Sequence, residues 1–476
     1  VPFITQELTS PKLDFKSVKM EVIIEQMISD LEFAVQHIPE RDDYGKENKG
    51  GCLMLLIKFY MAAGKFDKAI EAANTLINSS GYQLMEQPFG VFENPFPVDR
   101  PITRNVLWDL HRPANKSIPA NKETIMTMIS RQENPESRVP IKSLYNFTPF
   151  WSMTDVNRGI LTPSKRNAGM GRLAATADVM KSYPDYIDFR AIAGRGECFV
   201  RPTYFAEKGM WNDENDLRSN SKMGNWFEME ELKYNNPTLL SGNDAQFFGQ
   251  PIRKYAEDGS LLVKDTIRGW YGYPYYKLWV NDPDRNVSNG YTGVDYQGGP
   301  GDYYLFRLAE AYLLRAEAYY WSGNYAKAVE DVNAIRKRAQ CTNLFTASDL
   351  VGLAGLDVIM DERARELMYE EFRHVELVRV SYVKANKEGV YQSPKSLSDE
   401  TSNSYWWHRI TKYNNYYNKG KRTLHNDEYK MAKHNIFWPI SQGNIDPNLH
   451  GRINQNYGYA GFENNADPIG SLAELE

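Results

Sequence analysis

The chain carries one short helical pattern twice, at widely separated positions, and this repetition limits its possible folds more than any other feature. Each copy has a tyrosine, a glycine four positions later, an aromatic residue two positions after the glycine, and an alanine three positions beyond that. The copies are Tyr60, Gly64, Phe66, Ala69 and Tyr319, Gly323, Tyr325, Ala328. Because glycine permits a tight turn and alanine lets backbones approach, each copy predicts two antiparallel helices in close contact.

The pattern resembles the core of the tetratricopeptide repeat, in which stacked helix pairs bury faces that no pair could bury alone. Apolar residues at helical spacing accompany it, such as Ile24, Ile28, Leu31 and Val35 on one face. The periodicity predicts helices over 19–38, 51–63, 66–77, 303–321, 325–338 and 361–384. The acidic and basic residues at helical spacing in 361–384 are typical of a helix face that is solvated or packed against a neighbour, rather than of a functional site. The predicted fold class is mainly α, with a tetratricopeptide-like helical scaffold.

The residues between the two helical blocks follow no helical period. Turn signals such as Asp258-Gly259 and Asn289-Gly290 are dense, and short β-like runs cover 105–110 and 124–129. A structureless loop of this length is not expected in a compact domain. We therefore predict a large irregular, loop-rich subdomain packed on the scaffold. The predicted divisions are 1–84 (helical), 85–301 (irregular), 302–390 (helical) and 391–476 (irregular), all packed as one unit.

Composition argues against several function classes. The net charge is -5 and the pI is about 6.0, without a basic stripe, so nucleic acid is not an expected partner. The longest strongly apolar run is near 53–57, whereas a membrane span needs about 20 apolar residues. The three cysteines are odd in number and widely spaced, which gives no disulfide framework. Aromatic residues form 13% of the chain, and many lie in loop-like stretches, where Tyr and Trp suit partly wet binding surfaces.

Three blocks of sequence resemble signatures of the SusD-like (RagB/SusD) family. The first is the helix 303–318, with the sequence YYLFRLAEAYLLRAEA. The second is DERAREL at 361–367, followed by Glu370, Arg373 and Arg379. The third is FWPISQ at 437–442, followed by NQNYGY at 454–459. The stretch 1–84 also fits, so the resemblance covers essentially the whole chain.

The resemblance implies a location and a function as well as a fold. Family members pair a tetratricopeptide-like scaffold with a variable ligand-binding half, which here corresponds to 85–301. They are lipid-anchored on the outer face of the Bacteroidetes outer membrane and cap a SusC-type TonB-dependent transporter. Most known ligands are glycans and some are peptides, so the expected function is glycan capture and delivery, without catalysis. Members usually begin with a lipidated cysteine and a helical segment that this sequence does not contain, so we expect anchoring through an N-terminal lipid outside it.

Sugar binding needs flat aromatic faces for the C–H side of the ring and hydrogen-bonding groups for its hydroxyls. The richest local supply of both is 268–276, with packing between subdomains as the alternative. The candidate ligand contacts are Arg268, Trp270, Tyr271, Tyr273, Tyr291, Tyr296, Trp211 and Cys198. For Trp211 the alternative is a core position. The run 406–408 (WWH) is a further candidate platform or a transporter contact.

Signals for catalysis or cofactors are sparse. The sequence has no HExxH, no GxSxG and no phosphate-binding glycine loop, and its seven histidines are scattered. We therefore expect no cofactor. The oxygen-rich run 282–286 could hold a structural calcium ion, but a simple surface turn is the preferred interpretation. Three alternative functions stay open: a peptide-binding member of the family, a tetratricopeptide adaptor, and a glycosidase using Asp213 and Glu214 as acid and base. The long insertion between the two helix pairs argues against an adaptor, which usually stacks its repeats contiguously.

Overall fold

A computed structural model describes residues 1–476 except 42, 95–101, 135, 138–140, 151–158, 169–195, 281–298, 424–425 and 475–476. Within these residues the protein is mostly helical with a few short strands, which confirms the predicted fold class. In the same residues, no helix combines the length and apolar character that crossing a membrane requires.

The N-terminal block consists of α1 (Met20–His37), α2 (Lys49–Ala62) and α3 (Phe66–Asn74), and a π-helical turn, Thr75–Ser79, continues α3. The side chain of Asn48 caps α2 by accepting a hydrogen bond from the Gly51 amide at 2.9 Å. Gly64 turns the chain between α2 and α3 with a φ of 70°, which glycine adopts at little cost. The helices predicted here are confirmed, with boundaries that differ by a few residues.

Short elements make up the irregular half. They are α4 (Val106–Leu110), α5 (Pro113–Lys116), β1 (Thr124–Met128), α6 (Ser143–Asn146), β2 (Trp226–Phe227), α7 (Thr266–Gly269), β3 (Tyr273–Pro274) and α8 (Tyr275–Leu278). Strands β2 and β3 pair antiparallel. The β-like run at 124–129 is confirmed as β1, but the one at 105–110 is wrong. It folds into α4 because the side chain of Asn105 caps a helix by accepting from the Trp108 amide at 3.0 Å.

The second helical block begins with a strand. Strand β4 (Tyr303–Arg307) pairs antiparallel with β1 and leads directly into α9 (Leu308–Trp321). It is followed by α10 (Tyr325–Arg338), α11 (Gly352–Leu367) and α12 (Arg373–Lys387).

Two predicted helices in this block are therefore corrected. The helix 303–321 starts late because its first five residues pair with β1 instead. The helix 361–384 is broken, since Tyr369 adopts a φ of 62° between α11 and α12, a left-handed conformation that helices do not contain. The predicted helix 325–338 is confirmed.

The last segment holds α13 (Lys395–Ser398), α14 (Tyr405–Lys412) and α15 (Gln442–Ile445). It returns to the start of the chain, where Val18 forms a parallel bridge with Ile469. The side chain of Asn448 also bonds both the amide and the carbonyl of Phe15, each at 2.8 Å. Residues from both termini thus stabilise one another.

A single hydrophobic core joins the two helical blocks across the long insertion. It contains Ile57 of α2, Leu314 of α9, Met360 of α11 and Val380 of α12. Ala69 and Ala328, the alanines of the repeated pattern, are both fully buried. The close packing of the helix pairs, predicted from the repeat, is thereby confirmed. A second core, rich in aromatic residues, fills the irregular half.

A buried network of ion pairs connects the scaffold to the irregular half. Glu366 of α11 pairs with Arg307 at 2.5 Å, with Arg218 at 3.2 Å, and with Arg338. Glu362, one turn earlier, pairs with Arg218 at 2.7 Å. All five side chains are almost completely buried. Because a buried charge without its partner is strongly destabilising, the network fixes the position of Arg218 against α11.

Candidate functional site

Three segments, 196–209, 265–271 and the described residues of 413–431, meet and bring aromatic and arginine side chains together. We call this region the aromatic–arginine basin and define it by Cys198, Arg201, Arg268, Tyr271, Tyr416 and Tyr429.

Arg201 connects the three segments. Its guanidinium carbon lies 4.7 Å from the ring centroid of Tyr271 and 5.2 Å from that of Tyr416, within the range of cation–π contacts. Its Nη1 donates to the carbonyl of Ile267 at 2.6 Å, and its Nη2 donates to Glu207 at 3.1 Å. A single side chain thereby sets the spacing of two tyrosine rings from distant parts of the sequence.

The floor of the basin is tightly built around Cys198. A Cβ atom added to Gly196 would lie 2.2 Å from the Pro149 carbonyl oxygen, so only glycine fits where this loop crosses the neighbouring backbone. Cys198 adopts a φ of 49°, a left-handed conformation that its surroundings must maintain. Burial raises the pKa of its thiol, which hydrogen-bonds with the Tyr271 side chain. The protonated thiol and the tyrosine form a neutral, rigid base.

Arg268 and Asp265 place a hydrogen-bond donor and an acceptor next to each other. Asp265 caps the short helix α7, where its Oδ1 accepts from the Arg268 amide at 3.0 Å. The Arg268 guanidinium carbon lies 4.8 Å from the Phe150 ring centroid, and its Nη2 donates to the Glu197 carbonyl at 2.6 Å. Backbone contacts therefore fix the orientation of both side chains.

Two buried polar atoms near the basin, Asp265 Oδ2 and Tyr369 Oη, have no hydrogen-bond partner in the described structure. Burial raises the pKa of Tyr369, and Cys198 is among the groups that act on it, so the hydroxyl stays protonated and able to donate. An unsatisfied buried polar group costs about 1–3 kcal/mol. One acceptor and one donor beside the basin thus remain unsatisfied, and both are closed off from solvent in this structure.

Exposed aromatic side chains border the basin. Phe199 and Tyr204 leave 69% and 57% of their surfaces to solvent. Phe205 stacks on Tyr413 with ring centroids 3.8 Å apart and planes at 15°, and the Arg409 guanidinium contacts both rings. Because Tyr413 directly follows α14, this stack attaches the end of that helix to the rim of the basin.

A hairpin supplies the remaining wall. The Tyr429 amide donates to the Lys421 carbonyl at 3.0 Å, and the Asn418 amide donates to the Tyr429 carbonyl at 2.8 Å. The Tyr429 ring centroid lies 6.1 Å from that of Tyr416 and 5.8 Å from that of Tyr417. All three rings are half-buried, so each keeps part of its surface accessible.

The structure brings together three of the predicted ligand contacts, Cys198, Arg268 and Tyr271, within one site. Trp270 and Tyr273 belong to the aromatic core of the irregular half, and so do the buried Cys198 and Tyr271. Tyr273 stacks on Phe227 with centroids 5.5 Å apart, and the Trp270 indole donates to Glu230 at 3.3 Å. Trp211 is half-buried against Trp226, with ring centroids 5.5 Å apart. These contacts agree with the alternative interpretation of the three residues as packing or core positions. A direct ligand role for Trp211, Trp270 and Tyr273 stays a prediction.

The remaining candidates are two tyrosines, a proposed calcium loop and the run 406–408. Tyr291, Tyr296 and the proposed calcium loop at 282–286 fall outside the described residues. Elsewhere in the chain, within the described ranges, no group of three or more His, Cys, Asp or Glu side chains is arranged to hold a metal ion. The platform proposed at 406–408 is partly covered, because Trp406 is buried.

Sequence reasoning missed Arg201, Asp265, Tyr416 and Tyr429. A signal for the last two was available, since 413–417 reads YNNYY within a polar, loop-like stretch. Nothing local distinguished Arg201, because the two rings that it contacts, Tyr271 and Tyr416, lie far downstream in the sequence.

Fold and site together describe a helical repeat scaffold that supports a binding surface, and comparison with known proteins identifies its class. Residues 122–459 match the SusD family, and the chain belongs to that family.

Individual relatives agree with this assignment. The chain is 43% identical over 83 residues to the "Starch-binding protein SusD" of Bacteroides thetaiotaomicron, a match that spans 17% of this chain and only 14% of that relative. A SusD superfamily protein from Bacteroides fragilis superimposes with a TM-score of 0.54 at 15% identity, covering 96% of this chain and 75% of its own. Surface glycan-binding protein A from Bacteroides uniformis gives a TM-score of 0.51 at 15% identity, over 96% and 72% respectively. At these identities the superpositions establish a shared fold.

Proposed function

We propose that this protein binds glycans at the cell surface, captures oligosaccharides or polysaccharides in the aromatic–arginine basin, and delivers them to a SusC-type TonB-dependent transporter. The observation that carries the proposal is the half-exposed ring of Tyr416, held against the Arg201 guanidinium and beside the half-exposed ring of Tyr429. Family membership and a curated relative with the name of a starch-binding protein support the choice of ligand.

The chemistry of the basin matches that of a sugar. A pyranose ring has apolar C–H faces, which stack on tyrosine, and a rim of hydroxyls that both donate and accept. Tyr416 and Tyr429 supply half-exposed faces, and the half-buried Arg268 supplies donors. Binding is thereby favoured for a polyhydroxylated ligand.

Binding without turnover is part of the proposal. Asp213, the acid of the glycosidase alternative, accepts from the backbone amides of Thr342 at 2.7 Å and Asn343 at 2.6 Å. These hydrogen bonds engage its carboxylate in holding a turn. Glu214 beside it is exposed. Membrane attachment through an N-terminal lipid and passage of the ligand to the transporter follow from the family and complete the proposed role.

Isothermal titration of the purified protein tests the proposal, using starch, laminarin, levan, xylan, arabinan, mannan and a mixed peptide pool. We expect heat of binding with at least one glycan, no release of reducing ends on incubation, and no heat with the peptides. Heat with the peptides alone would replace the glycan by a peptide ligand, and reducing ends would make the protein a glycosidase.

Matched variants locate the site. Tyr416→Ala removes a half-exposed wall of the basin, and we expect the affinity for the glycan to fall about tenfold, the effect of losing one stacking contact of about 1.4 kcal/mol. Tyr255→Ala is the control, since Tyr255 is an exposed tyrosine that also contacts a cation, Lys254, but lies on a different loop. Equal affinity of the two variants would place the ligand elsewhere.

A further inference from the structure

Trp438 forms a second aromatic platform, distinct from the basin. It leaves 72% of its surface exposed although it is the largest apolar side chain type. One face of its ring stacks on His374, with centroids 5.6 Å apart and planes at 25°. The opposite face is therefore a flat apolar surface directed at solvent.

His374 is held so that this stack stays rigid and uncharged. Its Nε2 lies 3.0 Å from the carbonyl of Ile436, which can only accept, so Nε2 carries the proton. Its Nδ1 accepts from the indole N–H of the buried Trp406 at 3.2 Å and must be unprotonated. A second proton on His374 would face the indole N–H and break this bond. Burial also lowers the pKa of His374, which agrees with the neutral ring.

The backbone of the platform is fixed as well. The Trp438 carbonyl accepts from the Asn456 side chain at 2.7 Å, and the Phe437 carbonyl accepts from the Tyr459 hydroxyl at 2.9 Å. Two segments of the C-terminal region and the start of α12 thus converge on one exposed ring. A preorganised ring loses little conformational entropy when a ligand covers it.

The platform and the basin are positioned by the same helix. Trp406, which holds His374, lies in the first turn of α14, and Tyr413, which stacks on Phe205 at the rim of the basin, directly follows its last residue. The two contacts are seven positions apart along this helix, a rise of about 10 Å. A polymer of several sugar units is long enough to contact both.

We propose that Trp438 is a secondary stacking site for a sugar unit of the same polysaccharide that occupies the basin, so that long chains bind through both and short ones through the basin alone. This inference rests on the proposed function. A second weak contact on one chain raises the overall affinity because it forms at a high effective concentration. Phe372 and Val375, which flank His374 in the sequence, are exposed as well.

The test compares polymers with their disaccharides, which are too short to contact both sites. Each glycan of the panel (starch, laminarin, levan, xylan, arabinan and mannan) and its disaccharide are titrated into the unaltered protein and into Trp438→Ala. We expect the variant to bind the polymer about five- to tenfold more weakly and the disaccharide unchanged, as expected for one lost stacking contact. Trp438→Tyr should restore most of the polymer affinity because it keeps a flat ring.

Phe33→Ala is the matched control, since Phe33 is 65% exposed and also stacks on a histidine, His37, at 4.0 Å, but on α1. Unchanged polymer affinity in Trp438→Ala would overturn the inference. So would an equal loss for polymer and disaccharide, which would make Trp438 part of the primary site. A change from monomer to dimer, or the reverse, in sedimentation of Trp438→Ala would show that protein covers this face instead. If no glycan binds the unaltered protein, the proposed function itself fails, and this inference with it.

Discussion

Removing Glu366 is the most informative perturbation of the buried ion network. Its two carboxylate oxygens accept from three guanidiniums: Arg307 at 2.5 Å, Arg218 at 3.2 Å, and Arg338. These four side chains are almost fully excluded from solvent. In Glu366→Ala, three buried cations lose a shared anion and cannot reach water without moving the elements that carry them. Glu123, Glu362 and Glu370 still pair with members of the cluster, so it retains part of its compensation.

We expect Glu366→Ala to lower the free energy of unfolding by about 3–5 kcal/mol, the usual cost of breaking a buried pair from one side. Urea unfolding followed by circular dichroism measures this as a shift of the midpoint at constant slope. The control is Glu330→Ala, which removes an exposed pair with Lys327 at 2.8 Å and should cost less than about 1 kcal/mol. Equal effects of the two variants would refute the reasoning, because burial would then contribute nothing to the network.

Two further predictions follow from the same packing. Burial opposes ionisation of Glu362 and Glu370, but the surrounding cations outweigh it and lower the pKa of each carboxyl to about 2. Because these folded-state pKa values lie below the unfolded value of about 4.3, the stabilisation is complete above that pH and is lost as the pH falls towards 2. The midpoints of urea unfolding should therefore decrease in the order pH 7, pH 4, pH 3. A midpoint that does not change with pH would contradict the lowered pKa values. Ala328→Leu should lower the unfolding free energy by about 1–3 kcal/mol, because the larger side chain overfills the buried contact between the helices. Ala326→Leu, on the exposed side of α10, is the control and should have little effect. Equal urea midpoints of the two variants would mean that the helix contact is loosely packed.

The helical scaffold could be predicted because its determinants are local. The glycine of each helix pair fixes a turn within six residues, and the alanine after it fixes the close approach of the same two helices. The errors arose where a distant segment decided the local structure. Residues 303–307 have helical periodicity, yet they pair with β1, which lies far upstream.

The binding site was only partly predictable for the same reason. Cys198, Arg268 and Tyr271 were singled out from their own segments, and the structure places them in the proposed basin. Arg201 and Asp265 were not singled out, since their contacts depend on rings and backbone atoms from other segments. Trp270, Tyr271 and Tyr273 share one composition signal, and only the fold shows that all three lie in the core.

Glycan binding in the aromatic–arginine basin is the central claim, and titration of Arg268→Ala against the unaltered protein tests it most directly. With the glycan of the panel that binds, we predict at least a tenfold loss of affinity, while urea unfolding shows that the variant remains folded at the temperature of the titration. Undiminished affinity in a folded Arg268→Ala, together with undiminished affinity in Tyr416→Ala, would contradict the assignment of the basin as the ligand site.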